Sequence, residues 1–260
     1  MQCDFDTIGT RSVAADIETV LVIHDLMRAI GFDRFTIRIN NRSVLNGLLE
    51  RLGLGDKSTA ILRALDKLSK IGPDRVADEM MVAADATSEQ AADVLRLSGL
   101  TGSNEQILRQ VEPLVAGSQA GQEGVARLAQ ILAGVRAAGV ADDHVALDVS
   151  IARGLDYYTG AVFETFLEAL PNIGSVCSGG RYDNLAGLYT KQDLPGIGAS
   201  LGLDRLLAAM EELGMIGQVR TPADVLIVFF DAGHLNDYLR LAGQVRRAGL
   251  GVEEIGRAHV

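Results

Sequence analysis

Tryptophan is absent from the sequence and cysteine nearly so, Cys3 and Cys177 being the only two. Two thiols are too few for a disulfide framework or a cysteine-rich zinc site, so a reducing cytoplasm suits the chain best. Histidine is also sparse: His24, His144, His234 and His259 are scattered without ligand spacing, which argues against a zinc centre. No stretch of about 18 uncharged apolar residues occurs, and no basic segment followed by an apolar run opens the chain. Neither a membrane span nor an export signal is therefore expected. Positive charge is short as well, since 24 Lys and Arg face 34 Asp and Glu, a formal charge of −10. A generic nucleic-acid coat needs Lys and Arg to displace counterions from phosphates, so nucleic acid can be met only through local patches. Low-complexity segments, internal repeats, and a Ser or Cys nucleophile with a paired base are all missing.

What is present suffices for a sizeable core: 260 residues, 48% of them hydrophobic and 22% charged, hold one large or two ordinary domains. From Arg11 to Ile30 apolar residues recur at helical spacing, and Gly31 is a helix stop. Phe35 to Asn40 alternates apolar and polar residues as a half-buried strand does, with Ile37 and Ile39 toward the core. Between Ser43 and Ala141 the texture changes to short amphipathic blocks rich in Ala, Leu and Asp. The expected helices there are Val44–Leu52, Ser58–Ile71, Pro73–Ala84, Ser88–Leu97, Asn104–Val115 and Gly124–Ala138. Strand texture returns at Val145–Ile151, Ala161–Leu167, Ile173–Cys177 and Gly196–Leu201, followed by a helix at Leu203–Leu213. After a linker at Gly217–Pro222, Asp224–Phe230 reads as a strand and Leu235–Ala248 as a helix, the opening of a second α/β unit. The tail Glu254–Val260 reads like translated sequencing adapter, against the alternative of a genuine strand and loop.

Three blocks carry chemistry. In Gln2–Gly9, alternation puts Gln2, Asp4 and Asp6 on one strand face, either as a binding face or as an ordinary exposed one. In Ala152–Gly160, Arg153 and Asp156 stand beside Tyr157 and Tyr158 between two glycines, offering a cation, an anion and two phenols in a tight turn; the alternative is a structural ion pair at a strand end. The third runs from Ser178-Gly-Gly-Arg-Tyr-Asp183 to Gly196–Arg205. Its double glycine permits close backbone approach, and the later glycines let a strand lie flat under a planar group such as adenine, or simply pack against a helix.

These blocks in this order, with a helical module between the first two, resemble the class II histidyl-tRNA synthetases over nearly the whole chain. Gln2–Gly9 is similar to the second strand of motif 2, Arg153–Tyr158 to the first histidine motif, Ser178–Asp183 to the second, and Gly196–Arg205 to motif 3. The resemblance implies an α+β fold: part of the class II antiparallel sheet with flanking helices (residues 1–42 and 142–217), an inserted all-helical module (43–141), and the start of an α/β anticodon-binding domain (218–260). It implies that Gln2 and Tyr158 hold the α-amino end of histidine, that Asp6 and Tyr182 line the imidazole pocket, and that Tyr157 and Gly180 complete it. Arg153 would be the catalytic cation, with Arg205, Gly202 and Gly198 at the ATP. The reaction implied is ATP-dependent joining of histidine to its tRNA through a histidyl-adenylate, with Mg2+ accompanying the ATP phosphates, no tightly bound cofactor and no protein-built metal site. The family also implies a homodimeric, cytoplasmic parent. Against that pattern the chain would begin inside motif 2, without the motif 1 dimer element or the motif 2 arginine, and would stop early in the anticodon-binding domain. As written it is expected to be inactive or nearly so. The alternative is a non-catalytic histidine sensor of the same fold, the regulatory subunit of ATP phosphoribosyltransferase. Retention of both histidine blocks and of an anticodon-type strand and helix favours the ligase.

Overall fold

The computed structural model describes residues 1–151, 157–216 and 223–255. They belong to two compact units, Met1–Ala209 and Met210–Val260. The first begins with strand β1 (Gln2–Ile8) and helix α1 (Val13–Ile30). The Ser12 side chain accepts the Ala14 N–H at the start of α1, and Gly31 closes it in the left-handed conformation at φ 104°. Strand β2 (Phe35–Asn41) follows, then helices α2 (Arg42–Arg51), α3 (Ser58–Leu65), α4 (Leu68–Ile71), α5 (Pro73–Ala84), α6 (Ser88–Ser98), α7 (Asn104–Val111) and α8 (Gln119–Ala137). Strands β3 (Val145–Leu147), β4 (Ala161–Leu167), β5 (Cys177–Arg181) and β6 (Gly196–Gly202) return to the sheet before α9 (Leu203–Glu212). In the second unit β7 (Val225–Val228) pairs in parallel with β8 (Val252–Ile255), connected through α10 (Leu235–Arg247).

The large sheet has the order β1-β6-β5-β4-β2-β3, antiparallel throughout except for the parallel β2–β3 pair. Cross-strand register sorts its side chains onto two faces. Ile37, Ile39, Phe163, Thr165, Cys177, Arg181, Ile197 and Leu201 share one face and are all buried. Helix α1 packs on β6, and α8 on β2 and β4. The other face carries Gln2, Asp4 and Asp6 of β1, Gly198, Ser200 and Gly202 of β6, Ser178 and Gly180 of β5, and Glu164 of β4. A polar sheet face this wide has to meet either solvent or a ligand.

Helices α2 and α8 meet at glycines. A Cβ on Gly47 would lie 2.5 Å from the Gly121 Cα, so only glycine lets the two backbones come this close. Capping boxes at Thr87–Gln90 and Ser103–Gln106 start α6 and α7, and the Gln90 amide also donates to the Leu52 carbonyl, tying α6 to the end of α2. Among the described residues no helix is long and apolar enough to cross a membrane.

Several expected boundaries move, each for a local reason. The strand expected at Ile173–Cys177 lies instead at Cys177–Arg181, because Pro171–Ile173 forms a 3-10 turn and Gly174 has φ 79°. The helix expected over Ser58–Ile71 breaks into α3 and α4. That expected over Asn104–Val115 ends at Val111, where Pro113 enters a 3-10 turn and cannot donate to the preceding helical turn. The strand expected at Val145–Ile151 stops at Leu147, since the Asp148 carboxylate turns back to accept from the Ser150 N–H and hydroxyl. The Gly217–Pro222 linker lies outside the described residues, as does the 256–260 part of the tail; Glu254 and Ile255 belong to β8.

Candidate functional site

The polar face of the large sheet is the floor of a cleft of about 1190 Å³. Gln2, Asp4, Asp6 and Ile8 line it from β1, as period-two alternation requires. Tyr157, Tyr158 and Tyr182 stand over the floor. The ring centroids of Tyr157 and Tyr158 are 4.7 Å apart and those of Tyr157 and Tyr182 6.1 Å, both pairs edge to face. The Tyr182 hydroxyl donates to the Asp6 carboxylate. Burial, and then that hydrogen bond, raises the Tyr182 phenol above the ordinary tyrosine range; burial, and then a hydrogen bond with Tyr157, does the same for Tyr158. Both phenols therefore stay protonated and serve as donors.

Glycines make room for these groups. A Cβ on Gly196 would come within 2.3 Å of the Tyr182 ring, one on Gly198 within 2.1 Å of an Asp6 carboxylate oxygen, and one on Gly180 within 3.0 Å of the Tyr158 ring. Each polar side chain thus lies directly on strand backbone. Further along the same face Gly202 pairs with Gln2, and a Cβ there would meet nothing nearer than 3.7 Å. The sheet face is divided accordingly, with a crowded acid-and-phenol end at Asp6 inside the cleft and a less crowded end at Gly202, beside the lining residues Gln2 and Ser200. Gly196→Ala is expected to push Tyr182 off Asp6 and lower its phenol toward the ordinary value near ~10. Spectrophotometric titration checks this: the variant should show one more tyrosine ionising in that range than the parent, with Tyr158 still held above it, and an unchanged number would contradict it.

Short bonds join the second and third blocks. The Thr159 N–H donates to the Arg181 carbonyl at 2.7 Å, and the Thr159 hydroxyl accepts from the Asp183 N–H at 3.0 Å. Asn40, buried beside the floor, donates to the carbonyls of Val149 at 3.2 Å and Ile151 at 3.0 Å, and so fixes the chain that leads into the second block. Sequence reasoning missed Asn40, which looked like the end of a strand. It also missed Leu62, Arg63, Asp66 and Lys67, which line the cleft from α3 and the turn after it. Their amphipathic spacing indicated a helix and nothing of what the helix faces.

Of the residues expected at the site, Gln2, Asp6, Tyr157, Tyr158, Tyr182 and Gly198 line the cleft, and Gly180 lies beneath Tyr158. Arg205 is exposed on the first turn of α9 and donates to the Ser175 carbonyl. Arg153, with Asp156 of the same block, lies outside the described residues. Cys177 is on the opposite face of β5, where burial pushes its thiol up to about 12, too high for a nucleophile at neutral pH. A carboxylate ringed by protonated phenols suits a ligand that brings its own N–H donors.

Comparison with known proteins bears on what that ligand is. The sequence profile of the histidyl-tRNA synthetase family matches residues 1–206. A histidine–tRNA ligase of Rhodopirellula baltica is 61% identical over 253 residues, which is 97% of this chain and 57% of that protein. Among solved structures, the histidyl-tRNA synthetase of a Nostoc species superposes with a TM-score of 0.78 at 34% identity, covering 98% of this chain and 60% of that one. An ATP phosphoribosyltransferase regulatory subunit/histidyl-tRNA synthetase from Bacillus halodurans superposes with a TM-score of 0.68 at 23% identity, covering 100% of this chain and 63% of that one, a likeness of fold. The chain spans somewhat over half the length of these relatives.

Proposed function

Because the chain belongs to the histidyl-tRNA synthetase family, we propose that its cleft is a histidine pocket opening onto an ATP site, and that the protein serves the ATP-dependent joining of histidine to tRNA. The observation that carries this reading is the Tyr182–Asp6 pair set on bare glycine backbone at one end of the floor. Imidazole differs from apolar side chains of its size in presenting N–H donors. A carboxylate fixed to accept one rewards histidine and leaves an unmet acceptor for its competitors, and sites built on hydrogen bonds discriminate better than apolar slots. In this reading Gln2 and Tyr158 hold the α-amino group, Tyr157 packs between the two tyrosines, and Gly180 lets Tyr158 lie close to the strand. The end of the sheet face at Gly202 underlies adenine, Gly198 lies beneath Asp6 where the histidine and ATP ends meet, Arg205 swings from Ser175 to the phosphates, and Mg2+ comes with the ATP. Residues 1–42 and 142–217 form the catalytic core, 43–141 an insertion that supplies one wall of the cleft, and 218–260 the start of an anticodon-binding domain.

The chemistry follows in two steps. A carboxylate oxygen of histidine attacks the α-phosphorus of ATP, the bond from that phosphorus to the bridging oxygen breaks, and pyrophosphate leaves. Arg153 is the proposed cation that stabilises charge developing on the α-phosphate. A terminal ribose hydroxyl of tRNA then attacks the histidyl carbonyl, and AMP leaves with the bonding pair. Equilibrium dialysis of labelled amino acids against the 260-residue chain, beside histidine-dependent ATP–pyrophosphate exchange, tests the reading. Histidine should be retained in preference to other amino acids, and exchange should be weak compared with the full-length Rhodopirellula relative. Absence of histidine retention would overturn the pocket assignment.

A further inference from the structure

Residues 184–194, between the second histidine block and β6, make an Ω-loop whose base and tip are held very differently. At the base the Arg11 guanidinium donates to both Asp193 carboxylate oxygens, at 2.6 and 2.7 Å, and its Nε stands 3.9 Å from an Asp183 oxygen at the loop's other end. The Arg11 backbone is itself fixed, since its carbonyl accepts from Arg127 at 2.8 Å, and the neighbouring Gly9 N–H donates to the Pro195 carbonyl at 2.7 Å. The hydrogen bonds of the tip are local: Gly187 N–H to the Asn184 carbonyl, Tyr189 N–H to the Ala186 carbonyl, and Gln192 N–H to the Thr190 hydroxyl. Leu185, Ala186, Tyr189 and Leu194 face the cleft, yet Leu188 is 74% and Tyr189 87% exposed. Two large side chains are thus left in water at the mouth of a polar site, on a segment whose long-range hydrogen bonds and ion pairs, among the described residues, lie at its ends. That combination describes a lid in its open position.

We propose that residues 184–194 close over the bound amino acid, bringing the Tyr189 ring across the Asp6–Tyr182 end of the cleft, and that Arg11 is a positioning residue holding the lid's hinge. This rests on the histidine reading of the cleft. Closure buries the tip and removes water from the Asp6–imidazole hydrogen bond, which strengthens it. Arg11 touches neither substrate nor reacting atoms and acts only by keeping Asp183 and Asp193 together.

The absence of tryptophan supplies a clean probe: in Tyr189→Trp the single indole reports the lid tip alone. Histidine should shift its emission to shorter wavelength, and dialysis should show histidine retained. Adding Arg11→Gln, or Asp193→Asn from the other side of the pair, should abolish the shift and weaken retention by about fivefold, the scale of an exposed ion pair. Melting temperature should barely move, which separates hinge from scaffold. Histidine retained with unmoved emission, or retained equally well by both variants, overturns the lid. Histidine not retained by the parent chain overturns the pocket reading, and the lid with it.

Discussion

Asp6→Ala is expected to weaken histidine binding by about 10- to 100-fold, the range for one lost hydrogen bond to a charged group. The loss should come without collapse of the fold, because Asp6 sits on the open face of β1 and its removal takes no atom from the core. Two effects add. In the proposed pocket the imidazole N–H would lose its acceptor, and the Tyr182 hydroxyl loses the carboxylate that orients it. The phenol of Tyr182 should then fall toward its ordinary range, because Asp6 is part of what raises it. Asp6→Asn separates charge from shape. It retains one acceptor oxygen but no net charge, so affinity should lie between that of the parent and the alanine variant. Titration calorimetry on the three proteins, with melting curves as control, decides the matter. Equal affinity in parent and alanine variant would remove Asp6 from the pocket.

The face that Asp6 shares was legible in the sequence because strand alternation is a strong local rule, whereas its place in a site was implied only by the family resemblance. Gln2, Asp4 and Asp6 had to share a face, and β1 places them together along the cleft. Helix α1 was equally plain, with its apolar spacing and its glycine stop, while its serine cap is seen in the structure. The displaced strand at Cys177–Arg181 was hidden because Ser-Gly-Gly-Arg has little strand propensity; its glycines are there for what lies on them, Tyr158 above Gly180 and the β6 backbone against Gly179. The face presented by α3 was illegible for a different reason. Helical periodicity reveals that one side is apolar, but not that Arg63 and Asp66, at its polar edge, look into a cleft floored by strands far away in sequence. The Arg11 contacts at Asp183 and Asp193 were invisible too, because an exposed ion pair between distant residues leaves no local signal.

The same limit hid the interaction with the largest expected effect on stability. Arg181→Leu is expected to cost about 3–5 kcal/mol, toward the lower end, and to be read as a lower denaturation midpoint in urea. Arg181, in the middle of the second histidine block, has a side chain only 5% exposed, on the face of β5 turned away from the cleft, and Asp16 of α1 is 0% exposed. The pair is bidentate: Nε donates to one Asp16 oxygen at 3.1 Å and a terminal nitrogen to the other at 2.9 Å. The remaining donors reach the Thr10 carbonyl and Asp183 at 3.0 Å each and the Ser12 carbonyl at 3.4 Å. Burial works against the charge on Arg181, and the bonds and attraction of Asp16 outweigh it, so the guanidinium stays ionised. Leucine in its place would leave Asp16 buried with Arg127 as its remaining ion partner and take a donor from the Thr10 carbonyl, while the Ser12 carbonyl keeps the Ala15 N–H. Arg127 is what keeps the cost off the upper end. Lysine cannot stand in, because one ammonium cannot span both Asp16 oxygens, two carbonyls and Asp183 at once. Arg181→Lys should therefore fold less stably than the parent, and its weaker grip should also show in function: Tyr182 follows directly in sequence and leans on Asp6, so histidine affinity should fall as well. An Asp16→Ala and Arg181→Leu double variant that loses less than the two single losses combined would confirm direct coupling. Full additivity, or a loss below about 1 kcal/mol for Arg181→Leu, would mean that the block is held to α1 by something other than this pair.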